Sequence, residues 1–320
     1  MWRALELDGE VLLFDRDTGI NMLVTNDRTR ALTRVAPRML QVAVTNACDK
    51  TCAFCYRPLE AKNTWSFDEL VQLARVCDDW GVLEIAFGGG EPTLFPRFAE
   101  LLRVIWTETR MCPSFTTHGK RLDATFLRAI RGYYGQMQVS VYDEDDTRAI
   151  VDLLVTEHAR FGLNYLVTPR RARQLEADVL AFVARGVRDF LFLSYKGSDP
   201  ALHLSERETR MFDDSLAKLH ERLPQIALKV DVCWASRLVK SPQLLNEPDC
   251  GANVDFLSLT SDKRVLACSF ANEGIEFTKP SELPEIWRSL QRVRLAAPSP
   301  GCARLPGFGM RRALPVARTS

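Results

Sequence analysis

From residue 39 to about residue 230, short apolar runs alternate with amphipathic stretches, and this alternation limits the possible folds more than any other feature of the chain. Strand-like runs lie at 39–45, 82–87, 113–117, 136–142, 163–168 and 189–195. Helix-like stretches follow them at 66–80, 97–107, 123–131, 147–161, 171–185 and 205–223. The first helix is announced by a capping box, Ser66 to Glu69, with Leu70, Leu73, Ala74, Cys77 and Trp80 on one face. Strands separated by helices form a parallel sheet with right-handed crossovers. The Leu, Val and Phe content of the runs fits burial on both faces of that sheet. Residues 226–232 have the composition of one further strand.

The flanks read differently. Residues 11–14 and 20–24 surround a polar turn ending in Gly19, the pattern of a β-hairpin, and Arg28, Arg30, Arg34 and Arg38 form a basic stretch after it. Beyond 230 come a second hairpin, 256–260 with 265–269, a helix at 282–294, and a tail rich in Pro, Gly and Arg. Three segments result: 1–38, 39–230 and 231–320. A formal charge of +1 gives no bulk electrostatic attraction to nucleic acid or to a membrane surface. No apolar run nears the roughly 20 residues that cross a bilayer. Glu6 and Asp8 stand where a signal peptide has its apolar core, so a cytoplasmic protein is expected.

Nine cysteines in a cytoplasmic chain point to metal ligation rather than disulfides. Cys48, Cys52 and Cys55 form C-x3-C-x2-C directly after the first strand. Three closely spaced thiolates can hold three irons of a 4Fe–4S cube and leave the fourth open to another ligand. A zinc loop would close with a fourth ligand, and no further Cys or His stands nearby in the sequence. After the second strand comes Gly88-Gly89-Gly90-Glu91-Pro92, where glycines let a ligand approach the backbone and a carboxylate suits an ammonium group. Other strand ends are polar: Thr116, Thr117 and His118, then Ser140, Thr168, and Ser194 to Lys196. Cys77 and Cys112 read as packed small hydrophobes.

The cysteine triad and the glycine turn together resemble the radical S-adenosylmethionine (SAM) superfamily, with Phe54 as the aromatic that precedes the third cysteine. The resemblance implies a partial (β/α)6 TIM-like barrel, an α/β fold, carrying the N-terminal hairpin and a small C-terminal domain. It implies that SAM binds the open iron and that its reductive cleavage gives a 5′-deoxyadenosyl radical able to abstract hydrogen from a substrate. By the same resemblance Gly89, Gly90 and Glu91 hold the methionyl amino group, Thr117 lies near SAM, and Ser140 lies at its ribose. His118 stands where the family often has Asn.

The C-terminal region is similar to the auxiliary-cluster domains called SPASM and twitch. Cys250 and Cys268 bracket the second hairpin at the family spacing, with Lys263 where glycine is usual. The resemblance implies one auxiliary 4Fe–4S cluster on Cys250, Cys268 and Cys302. Cys233 is either its fourth ligand or a thiol hydrogen donor. Expected partners are a peptide or small-molecule substrate and an electron donor such as flavodoxin or ferredoxin. With only about 38 residues before the core, a peptide substrate would call for a separate recognition protein. The leading activity is peptide maturation by oxidation, cross-linking or epimerisation. A small-molecule dehydrogenase is the close alternative, and a non-catalytic iron–sulfur protein the alternative of another class.

Overall fold

A computed structural model describes residues 1–296 except 56, 58–60, 143–146, 242–249 and 272. Three short strands open the chain: β1 (Trp2–Glu6), β2 (Val11–Asp15) and β3 (Asn21–Val24), paired antiparallel in that order. The expected hairpin is therefore β2–β3, and β1 adds a third strand, with Leu5 opposite Leu12 and both buried. Its five residues are too short a run to announce a strand, and pairing with β2 supplies what local pattern does not.

This small sheet covers the end of the barrel where strands begin. Arg16 Nη1 donates to the carbonyls of Trp106, Thr109 and Met111, and Arg3 Nη1 to that of Val82, all just before strands of the larger sheet. The opposite end is left for the site.

Among the described residues the larger sheet holds ten strands. Parallel strands β4 (Met39–Thr45), β5 (Glu84–Gly89), β6 (Cys112–Thr117), β7 (Met137–Ser140), β8 (Phe161–Val167), β9 (Asp189–Ser194) and β10 (Ala227–Val230) lie side by side in chain order. Helices α1 (Phe67–Trp80), α2 (Phe98–Glu108), α3 (Ala124–Ile130), α4 (Thr147–Thr156), α5 (Pro169–Ala184) and α6 (Glu206–Arg222) connect them. Outward-facing rings fasten the two layers. Phe98 of α2 stacks edge-on against Phe87 and Phe115, and Phe212 of α6 against Phe192.

The sheet extends beyond six strands at both edges, on one side by the further strand expected at 226–232. β10 pairs parallel with β9. At the far edge β11 (Phe256–Leu259) pairs parallel with β4, and β12 (Arg264–Leu266) and β13 (Gly274–Glu276) continue antiparallel. The C-terminal hairpin thus extends the barrel's own sheet, and helix α7 (Leu283–Ala296) follows it.

The ends of α4 and α5 depart from the sequence reading for identifiable reasons. α4 ends at Thr156 because His158 turns the chain at φ 52°. α5 starts at Pro169, two residues early, because Thr168 caps it and proline suits a first helical turn. Among the described residues no helix is long and apolar enough to cross a membrane.

Candidate functional site

Strands β4 to β9 release their polar residues at one end, as parallel barrels do with their functional residues. The cysteine loop leaves β4 and is closed by Asn46, whose Nδ2 donates to Ala61 O at 3.0 Å. Along it Cys48 and Cys52 are half-buried and Cys55 exposed. The atoms that crowd within 4.8 Å of one another there belong to Cys48, Asp49 and His118, not to the three cysteines. Three thiols on one short loop suit an iron–sulfur cube.

Burial pushes the Cys52 thiol above its ordinary range, and the neighbouring Cys55 and Cys48 add to that, while a hydrogen bond with Tyr142 opposes it. Burial likewise raises the Tyr142 phenol, which stays protonated. Its ring stacks on Phe54 with centroids 5.7 Å apart, and Lys50 Nζ sits 4.3 Å from its centre.

The glycine turn is zipped to the start of the cysteine loop. Gly90 N donates to Thr45 O at 2.7 Å and Glu91 N to Ala47 O at 2.8 Å. A methyl group on Gly90 would sit 2.0 Å from Ala47 O, and Gly89 adopts φ 103°. Only glycine fits either position.

Glu91 is buried, with 1% exposure, and protein donors occupy both of its oxygens. Oε1 accepts from the Thr117 hydroxyl at 2.7 Å, the Thr93 hydroxyl at 2.7 Å and Thr93 N at 3.2 Å. Oε2 accepts from His118 N at 2.9 Å. The carboxylate thereby locks the ends of β5 and β6 together. Thr117 is buried behind it, and its oxygen also accepts from Gly119 N at 3.0 Å.

Sequence reasoning gave His118 no partner. In the structure Lys120 N donates to its Nδ1 at 3.1 Å, which leaves the ring proton on Nε2, 2.6 Å from Asp49 Oδ1. Burial alone would raise Asp49, but the hydrogen bond from His118 outweighs it and holds the carboxyl below its usual range. Nothing in the spacing of Asp49 and His118, 69 residues apart, signals this contact.

Asn164 was missed as well. It pairs in register with Ser140, its Oδ1 is buried without a donor, and its neighbour Tyr165 points outward to Asp178 on α5. Strand alternation then turns Asn164 toward the barrel interior.

At the next strand end Lys196 Nζ lies 2.6 Å from Asp231 Oδ2 and 4.6 Å from the centre of the Phe270 ring, and it also hydrogen-bonds Cys233. Burial would lower the Lys196 ammonium, but Asp231 and Cys233 outweigh it and raise it above its ordinary value. Cys233, Cys250 and Cys268 are half-buried and in no disulfide, and Cys302 lies outside the described residues. Cys77 and Cys112 are buried, and burial raises the Cys112 thiol to about 12, as befits packed residues.

The sequence model of the Radical SAM superfamily matches residues 42–154, which hold the cysteine loop, the glycine turn and Ser140. Over that segment, about a third of its length, this chain is similar to the radical SAM superfamily. Radical SAM proteins use a 4Fe–4S cluster and SAM, and the three thiols beside the glycine turn suit both.

Among curated relatives, a "Probable GTP 3′,8-cyclase" of Methanocella arvoryzae is 36% identical over 87 residues, 27% of this chain and 28% of that protein. The chain thus aligns with about a quarter of the length of such relatives. Two solved radical SAM structures share the fold. SuiB of Streptococcus suis bound to S-adenosylmethionine superposes with TM-score 0.69 at 14% identity, covering 90% of this chain and 86% of that one. anSMEcpe with bound AdoMet gives TM-score 0.63 at 17% identity, covering 78% and 79%. SuiB has also been solved bound to precursor peptide SuiA, and anSMEcpe with the Cp18Cys peptide.

Proposed function

We propose that this radical SAM enzyme functionalises a C–H bond of a peptide or small natural product by oxidation, cross-linking or epimerisation. The observation that carries the reading is the convergence, at one barrel mouth, of the cysteine loop and the glycine turn, held together by Gly90 and Glu91. Cys48, Cys52 and Cys55 would hold the core cluster. The chemistry supplied at such a site is one-electron cleavage of SAM to a 5′-deoxyadenosyl radical.

The protein's share is placement. Gly89 and Gly90 bring backbone to the methionyl end, and Glu91, kept rigid by Thr117 and Thr93, fixes the turn that receives the ammonium. Ser140 meets the ribose. Asn164 offers a buried acceptor beside it to a substrate N–H or O–H.

An auxiliary 4Fe–4S cluster would rest on Cys250, Cys268 and Cys302, with Cys233 as a fourth ligand or a hydrogen donor. Flavodoxin or ferredoxin would supply electrons in the cell, and a separate protein would present a peptide. Support for a peptide comes from fold likeness to SuiB and anSMEcpe, both solved with peptides. A small-molecule substrate is the second reading, favoured by the sequence likeness to GTP 3′,8-cyclases.

The test is an anaerobic assay of the reconstituted protein with SAM, dithionite and either GTP or a short peptide encoded beside this gene. A peptide that gains a mass change and accelerates 5′-deoxyadenosine release is expected. Conversion of GTP, with the peptide inert, would overturn the peptide reading.

A further inference from the structure

At the end of the barrel where strands begin, away from the cysteine loop, four parts of the chain enclose a cavity of about 250 Å³. Asp17 comes from the β2–β3 turn and Trp106 from α2. Arg131 and Tyr134 come from the α3–β7 connection, and Glu157 to Arg160 from the α4–β8 connection. We propose that this cavity binds a small phosphate ester, with Arg160, His158 and Arg131 taking the phosphate and Trp106 the attached ring.

The argument begins with charge. Arg160 Nη1 donates to Gly135 O at 3.2 Å and Nη2 to Asp17 O at 2.5 Å. Carbonyls fix the guanidinium in place without neutralising it, and it has further N–H donors beyond these two. Among the described residues neither Arg160 nor His158 has a carboxylate as ion-pair partner.

Both acids at the cavity are already engaged. Asp17 pairs with the N-terminal ammonium, which Asp15 shares. Glu157 takes Arg128 Nη2 at 2.7 Å and Arg131 Nη2 at 3.2 Å, so two cations share one carboxylate. Behind Trp106 sits Arg16, 4.2 Å from the ring centre and bonded to three carbonyls. Positive charge is therefore in excess around a concave space, which concentrates anions there.

The donors suit phosphate in particular. A guanidinium matches two phosphate oxygens at once. Tyr134 is 7% exposed, and its hydroxyl accepts from Arg160 N at 3.1 Å, which leaves its own proton to donate. His158, at φ 52°, turns the chain between α4 and β8 at the cavity wall. The aromatic wall at Trp106 favours an ester with a flat ring over the bare ion.

The experiment is isothermal titration calorimetry of the reconstituted full chain with inorganic phosphate and, separately, with phenyl phosphate. Ionic strength is held constant with sodium chloride. Both should saturate at one per chain, with phenyl phosphate the tighter. R160Q should weaken both roughly tenfold or more, the loss of a charged hydrogen-bond donor. H158G should weaken both as well, and glycine accepts the positive φ at that turn.

Heats that do not saturate, or that saturate unchanged in both variants, would overturn the site. Phenyl phosphate no tighter than inorganic phosphate would overturn the ring and with it the ester. Should R160Q fail to fold, because Arg160 also ties Asp17 to Gly135, H158G decides: wild-type affinity in H158G would overturn the proposal.

Discussion

Asp49 sits between the first cysteine and Lys50, and its side chain pairs with a histidine from another strand end, 2.6 Å away. That bond ties the cysteine loop to the residue after Thr117 and Glu91. Replacing one charged member by a neutral amide removes a charge-assisted hydrogen bond, typically about 1.5–3 kcal/mol. D49N should therefore retain less iron after desalting and form 5′-deoxyadenosine more slowly, while its helical circular dichroism is unchanged. Iron retention equal to wild type would show that the loop is held elsewhere.

The glycines allow a sharper pair of tests. A Cβ on Gly90 would meet the Ala47 backbone at 2.0 Å, whereas one on Gly88 would meet nothing within 4 Å. G90A should lose SAM binding or fold poorly, and G88A should keep wild-type SAM affinity by equilibrium dialysis. Equal behaviour of the two would contradict the close approach of turn and loop. The cysteines and glycines were legible because their chemistry depends on local spacing. Asp49, His118 and Asn164 were not, because their roles arise only when separate strands meet.

Among elements, the junction of α1 with the β11–β12 hairpin shows what local pattern can and cannot give. Ser66 and Glu69 signal the start of α1, and the structure has both halves of that capping box. The hairpin turn lacks the glycine its pattern calls for, and Lys263 adopts φ 62° in its place. Its Nζ reaches Glu69 Oε1 at 2.5 Å and faces the Trp65 ring at 5.4 Å. A lysine in the left-handed region is thus offset by a contact with another element, which turn chemistry alone cannot foretell. The same logic hid the parallel pairing of β11 with β4, which joins strands far apart in the chain.

The Lys263 hydrogen bond, with Ser66, holds the Glu69 carboxyl below its ordinary value. A carboxyl depressed in the folded state stabilises above its unfolded pKa, near 4.3, and that gain is lost as pH falls through the lower folded value. The melting-temperature advantage of wild type over E69Q should therefore be constant at pH 6–7 and shrink below about pH 4.3. A difference independent of pH would mean that the ion pair adds nothing to docking.

For the whole molecule, the N-terminal sheet seals one end of the barrel through Arg16 and Arg3, and the reactive residues gather at the other. The division of the barrel into strands and helices was legible because each element carries its own apolar period. The continuity of the C-terminal hairpin with the barrel sheet was not, because parallel pairing of β11 with β4 joins residues more than 200 apart. That continuity brings Cys268 close to the barrel edge, after β12. A second cluster there would give about eight irons per chain against about four for the core alone. C250A and C268A should each halve the iron, and C77A should leave it unchanged. Full iron in both former variants would remove the auxiliary cluster from the account.

The central claim is that Cys48, Cys52 and Cys55 support radical cleavage of SAM. It is tested by anaerobic reconstitution of wild type and of the triple variant C48A/C52A/C55A, with dithionite, SAM and chromatographic measurement of 5′-deoxyadenosine. Wild type should release 5′-deoxyadenosine, and the triple variant should release none while keeping roughly half the iron on its C-terminal cysteines. 5′-Deoxyadenosine from the triple variant at the wild-type rate would contradict the account.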